Sequence, residues 1–95
     1  MASIRRLKKD INYVSSAIIS DCFRYCVISG KDDEEVREII RDTITTRDEL
    51  LVRTRGAKRL KDRKEIRNNF KAIFRDLLSN ADAAFNKLSG IIKAV

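Results

Sequence analysis

The sequence predicts an all-α fold: an antiparallel three-helix up-down-up bundle with a long third helix. Three observations carry that expectation. Apolar residues recur at three- and four-residue steps along almost the whole chain, proline is absent, and only 3 glycines punctuate 95 residues. Proline and glycine are the residues that most disfavour a helix interior, so their scarcity leaves long helices free to form. A mass of 10.9 kDa fits a single helical domain over residues 1–95. Chains of this size bury only about 60–68% of their unfolded surface, so the core has little surplus.

The first helix is expected over residues 3–29. Ile4, Leu7, Ile11, Val14, Ile18, Cys22 and Tyr25 line one stripe of it. Ser3 suits its N-cap, and Gly30 its end. The second helix is expected over residues 33–55. It opens on Asp32, Asp33, Glu34 and Glu35, where an aspartate followed three residues later by a glutamate resembles a capping box. Those carboxylates also sit at the positive end of the helix dipole. Its stripe, Val36, Ile39, Ile40, Thr43, Ile44, Arg47, Leu50, Leu51 and Thr54, is poorer. With Thr43, Thr45 and Thr46 β-branched in mid-helix, tertiary packing must hold it.

Gly56 follows Arg53 and Arg55, cations suited to a helix C-terminus, and marks the second turn. The third helix is then expected over residues 57–95. Its apolar seam at 70, 74, 77, 81, 84, 88, 91 and 95 alternates steps of four and three, as in a coiled-coil stripe. Ser79-Asn80-Ala81-Asp82 could cap a fourth helix, with a break near Ser79. The unbroken seam favours continuity.

Helix three would exceed helix one by 12 residues, an overhang of roughly 18 Å. That overhang carries Phe85, Leu88, Ile91, Ile92 and Val95, apolar residues with nothing in their own chain to cover them. A large exposed apolar patch is uncommon on a monomer, so these five are the candidate interface of a homodimer.

Charge is unevenly laid out. The chain has 21 Lys and Arg against 14 Asp and Glu, a net +7. Residues 1–10 carry +3 and residues 53–75 carry +8, whereas residues 32–49 carry −5. Antiparallel packing would gather both basic segments at one end. Cations near the N-termini of helices one and three oppose the helix dipole, so stability alone does not favour them there. The candidate anion-binding residues are Arg5, Arg6, Lys8, Lys9, Arg53, Arg55, Lys58, Arg59, Lys61, Arg63, Lys64 and Arg67. Their partners would be nucleic acid or an acidic protein. Neither a helix-turn-helix fingerprint nor aromatics interleaved with the basic run are visible, so any nucleic-acid binding should be sequence-nonspecific and salt-dependent.

Enzyme chemistry finds no constellation. Histidine is absent, which removes the commonest general base and most zinc sites. Consecutive acids at a helix start are capping residues far more often than an acid/base pair, and no glycine-rich phosphate loop or nucleophile elbow occurs. No catalytic, cofactor-binding or metal-binding residues are expected. Cys22 and Cys26 lie one turn apart on a helix, where a bridge would distort the backbone, so they read as free thiols. Asn12, Ser15, Ser16 and Asp21 interrupt the N-terminal apolar stretch too early for a secretory signal. No apolar run approaches a membrane span, and a cytoplasmic location is the simplest expectation.

The opening Met1-Ala2-Ser3-Ile4-Arg5-Arg6-Leu7-Lys8-Lys9-Asp10-Ile11-Asn12-Tyr13 resembles the start of small, uncharacterised all-helical bacterial proteins with no assigned activity. The resemblance covers barely the first helix. It implies a bacterial cytoplasmic source and carries no site. The function read from the residues is therefore a non-enzymatic helical protein-interaction or structural module, homodimeric through its C-terminal helix. The alternative is binding of nucleic acid or another polyanion by the basic end.

Overall fold

The computed structural model describes residues 4–30 and 33–94, and places them in three helices with no strand among the described residues. Helix α1 is Ile4–Ser29, α2 is Glu34–Gly56, a 3-10 turn follows at Ala57–Arg59, and α3 is Arg63–Ala94. All three helices pack against one another, giving the all-α three-helix bundle. The molecule is a rod of 50 × 19 × 16 Å.

The first connection follows the expected chemistry. Gly30 adopts φ +66°, the left-handed conformation that glycine enters without a Cβ penalty, and its N–H donates to the Cys26 carbonyl at 3.0 Å. Asp33 caps α2, its carboxylate accepting from the Glu35 N–H at 2.9 Å. Ser3 and Asp32, the other expected capping residues, lie outside the described residues.

The second connection differs from expectation. Gly56 stays helical at φ −60° and closes α2; the chain turns extended only at Leu60, with φ −80° and ψ 133°. Asp62 then caps α3, its side chain accepting from Lys64 N–H at 3.0 Å while its carbonyl accepts from Ile66 N–H at 3.0 Å. The third helix accordingly starts at Arg63 rather than at 57. Asp62 and Glu65 form the Asp-x-x-Glu start signature, which decides the boundary where glycine does not. α3 then runs unbroken through Ser79, so no fourth helix forms.

Two core clusters stack along the rod. At one end Leu7 and Ile11 of α1 meet Leu50 of α2 and Ile73 and Leu77 of α3. At the other, Ile18 and Cys22 meet Val36 and Ile39, with Ala81, Ala84 and Leu88 of α3. Each fully buried aliphatic side chain contributes about 1.5–3 kcal/mol relative to exposure. The threonines that weaken the α2 stripe are reconciled locally. Thr43 and Thr54 are buried, and each hydroxyl donates to the carbonyl four residues back, Ile39 and Leu50, at 2.8 Å.

These clusters fix the register of the helices, and the register removes the expected overhang. Ile73 lies level with Leu7 and Ile11, and Leu88 level with Cys22. α3 has 32 residues and α1 has 26, so the excess is only about 9 Å, and it falls before Phe70 rather than at the C-terminus. The core position beside Leu77 is taken by Ile73, fully buried, while Phe74 of the expected seam is 44% exposed.

Candidate functional site

The same register decides where each candidate residue stands. Of the five expected dimer residues, Leu88 is only 5% exposed and belongs to its own chain's core, and Ile91 packs against that core. Leu88 is therefore not available to a second chain. Phe85 and Ile92 remain exposed, and Val95 lies outside the described residues.

Phe85 and Ile92 belong to a second stripe on α3 that the core seam conceals. Arg67, Lys71, Phe74, Leu78, Phe85 and Ile92 follow one another at steps of four, three, four, seven and seven, and all six are exposed. That spacing holds them on one helix face. With side chains of about 150–250 Å² each and roughly half of that accessible, the four apolar members leave on the order of 400 Å² of apolar surface. α1 borders this face. Near the far end, Ile28, Tyr25, Leu88 and Ile92 line an open groove of about 540 Å³ between α1 and α3. Tyr25 Oη is buried there and has no acceptor among the described residues. The other large apolar residues exposed among the described residues are Tyr13, Phe23 and Val27 of α1 and Ile44 and Val52 of α2.

The α2 and α3 face is of another character. Glu35, Glu38 and Asp42 line its groove opposite Lys87, and Thr46 Oγ1 donates to Asn80 Oδ1 at 3.3 Å. Among the described residues no large apolar side chain is exposed along it.

The start of α1, the end of α2 and the 57–62 turn come to the same end of the rod, as the cluster of Leu7, Ile11, Leu50, Ile73 and Leu77 requires. Arg5, Lys9, Arg55, Arg59, Lys61, Arg63, Lys64 and Arg67 are exposed there, and Lys8 is half-buried. Arg5, Arg6, Lys9 and Asp10 line a shallow hollow. The Lys58 side chain lies outside the described residues. Arg53 is engaged elsewhere: its guanidinium donates to Asp76 of α3 at 2.6 Å, tying α2 to α3. Arg53 is thus an internal counter-ion and not an open cation.

That bond and the nearby Arg75 hold the Asp76 carboxyl below the ordinary carboxylate range. A lowered folded-state pKa stabilises the fold above the unfolded pKa of about 3.9, and the contribution disappears as pH falls through the folded value. Asp76→Asn should therefore melt below the parent at pH 7 and converge with it in acid, once the pH has fallen through the lowered folded-state value. Thermal unfolding across that range checks this, and parallel melting curves at both pH values would contradict it.

Chemistry of other kinds finds little purchase. Cys22 and Cys26 are free. Burial first, then Cys26 and Asp21, pushes the Cys22 thiol up, away from the reactive thiolate. Among the described residues no group of three or more Cys, Asp or Glu could hold a metal ion, and no helix is long and apolar enough to cross a membrane. No protein family, characterised protein or solved structure matches this chain.

The exposed stripe was the feature missed from sequence, although its signal is there. Phe74 and Leu78 continue backwards from Phe85 and Ile92 at helical spacing, and Arg67 and Lys71 continue it further. The deeper seam beside it absorbed Phe74 and left Leu78 without a role.

Proposed function

We propose that this chain is a non-enzymatic protein-interaction module, whose α1 and α3 face receives an amphipathic helix of a partner protein. One observation carries the reading: Phe74, Leu78, Phe85 and Ile92 stand exposed along one face of α3, interrupted by Asp82 and Ser89, beside a neighbouring stripe of the same helix that already fills the core. The stripe is about 27 Å long, enough for some 18 residues of a partner helix. α1 and α3 run parallel and touch less closely than either touches α2, leaving a groove between them. A helix laid in that groove would complete a four-helix bundle.

Replacing stripe residues separates this reading from a structural role. Leu78→Ser with Phe85→Ser should leave the melting temperature within about 5 °C of the parent, because exposed positions contribute little to the isolated fold. The same double variant should lose proteins that the parent retains from a lysate of its source cells. A drop of more than about 15 °C would place the stripe in the core and end the proposal. Sedimentation of the parent at twice 10.9 kDa, lost in the variant, would assign the face to a second copy.

The cations at the rod's end favour a second reading, polyanion binding, since Arg55, Arg59, Lys61, Arg63 and Lys64 have no carboxylate partner among the described residues. It lacks exposed aromatics beside those cations to stack bases.

A further inference from the structure

We propose that the partner helix lies antiparallel to α1 and α3, with an acidic C-terminal end docked against Arg67 and Lys71. This deepens the interaction reading above and rests on it. The argument begins with direction. α1 and α3 both start at the same end of the rod, so the positive ends of two helix dipoles point there, beside Arg67, Lys71, Arg63 and Lys64. Arg67 and Lys71 have no carboxylate partner among the described residues. Arg63 and Lys64 stand in the first turn of α3, where a cation is unfavourable in the isolated chain, and Arg67 and Lys71 follow one and two turns later. A helix running the other way brings its own negative dipole end, and any carboxylates there, to that position. The stripe itself then changes character along its length, basic at 67 and 71 and mainly apolar from 74 to 92, where Asp82 is its one charge, so it distinguishes the two orientations of a ligand.

Charge also separates this occupant from a second copy of the chain. A two-fold axis with parallel α3 helices would set Arg67 and Lys71 against their own copies. An antiparallel axis centred on the stripe would set Lys93 near Lys71 and Asp82 beside Asp82, again like against like. An anionic bilayer would meet the cations but leaves the groove between α1 and α3 unfilled, whereas a helix fills it.

The test uses three labelled 20-residue helical peptides with one identical apolar stripe, titrated onto the full chain by fluorescence anisotropy. The first carries Asp and Glu in its last two turns, the second carries the same acids in its first two turns, and the third carries Lys in place of the acids. The first should bind about tenfold more tightly than the second and more tightly still than the third, with the gap narrowing at 0.5 M salt. Arg67→Glu with Lys71→Glu should reverse the order of the first and third peptides. Equal binding of the first and second peptides, or an order unchanged in that variant, overturns the orientation and leaves the interaction reading standing. Absence of binding by all three, or binding that survives Leu78→Ser with Phe85→Ser, overturns both. Flotation of the parent, but not of that Ser variant, with phosphatidylserine vesicles would assign the face to a membrane and overturn the proposal. A dimer that the first peptide fails to dissociate would do the same in favour of a second copy.

Discussion

Ile73→Ala should cost about 3 kcal/mol, which for a domain of this size lowers the melting temperature by roughly 12–24 °C. Ile73 is fully buried where the three helices meet, in contact with Leu7, Ile11, Leu50 and Leu77. Those neighbours belong to three different helices, each held by its own backbone. They cannot all move inward to fill the space left, so the loss combines the transfer term with a cavity term. Total stability of small domains is about 5–15 kcal/mol, and this one side chain therefore carries a sizeable fraction. The neighbouring Phe74→Ala removes a larger side chain and should cost much less, about 1 kcal/mol or under, because Phe74 is 44% exposed. Thermal unfolding followed by circular dichroism tests the pair. A greater loss for Phe74→Ala than for Ile73→Ala would return Phe74 to the core and contradict the helix rotation described here.

That pair also shows how far the sequence could be read. Ile73 and Phe74 are adjacent and both apolar, and an idealised heptad seam accepts either, since steps of three and four are equally helical. Which one is buried depends on where α1 and α2 lie around α3, a tertiary fact that local spacing does not contain. Gly30 was legible because its end of the helix demands a left-handed residue; Gly56 misled because glycine also tolerates the helical region, and at φ −60° it does so. Asp62 and Glu65 carried the better signal for the same turn. The axial register of α3 against α1 was not legible at all. It follows from the extended residues after the 3-10 turn, which start α3 beyond the end of α2 and slide its excess length to the basic end. Arg53 was read as one of a run of cations for a related reason: its carboxylate, Asp76, is 23 residues away in sequence and adjacent only across the packed helices.

Leu88→Asp should abolish cooperative folding near neutral pH, while Phe85→Asp, three residues earlier, should leave the fold intact. Leu88 is 5% exposed and packs among Ile18, Cys22, Val36, Ile39, Ala81 and Ala84, which offer a carboxylate no charge and no donor beyond the weak S–H of Cys22, while the Tyr25 hydroxyl in the adjoining groove supplies at most one hydrogen bond. An unpaired carboxylate there must be desolvated or protonated, and either route costs several kcal/mol, comparable to the whole stability of a small domain. Phe85 is 38% exposed on the neighbouring face, where an aspartate reaches water. Its effect should fall on binding: a charge in the middle of the stripe should weaken the helical peptide by more than tenfold, through lost apolar contact and the desolvation of a carboxylate against the peptide's apolar face. The two variants therefore divide α3 into a side that holds the bundle and a side that faces outward. If Leu88→Asp instead folded with a near-parental melting temperature and altered only the mass in solution, Leu88 would belong to an interface between chains. The register that places it beside Cys22, and with it the assignment of the exposed stripe, would then be wrong.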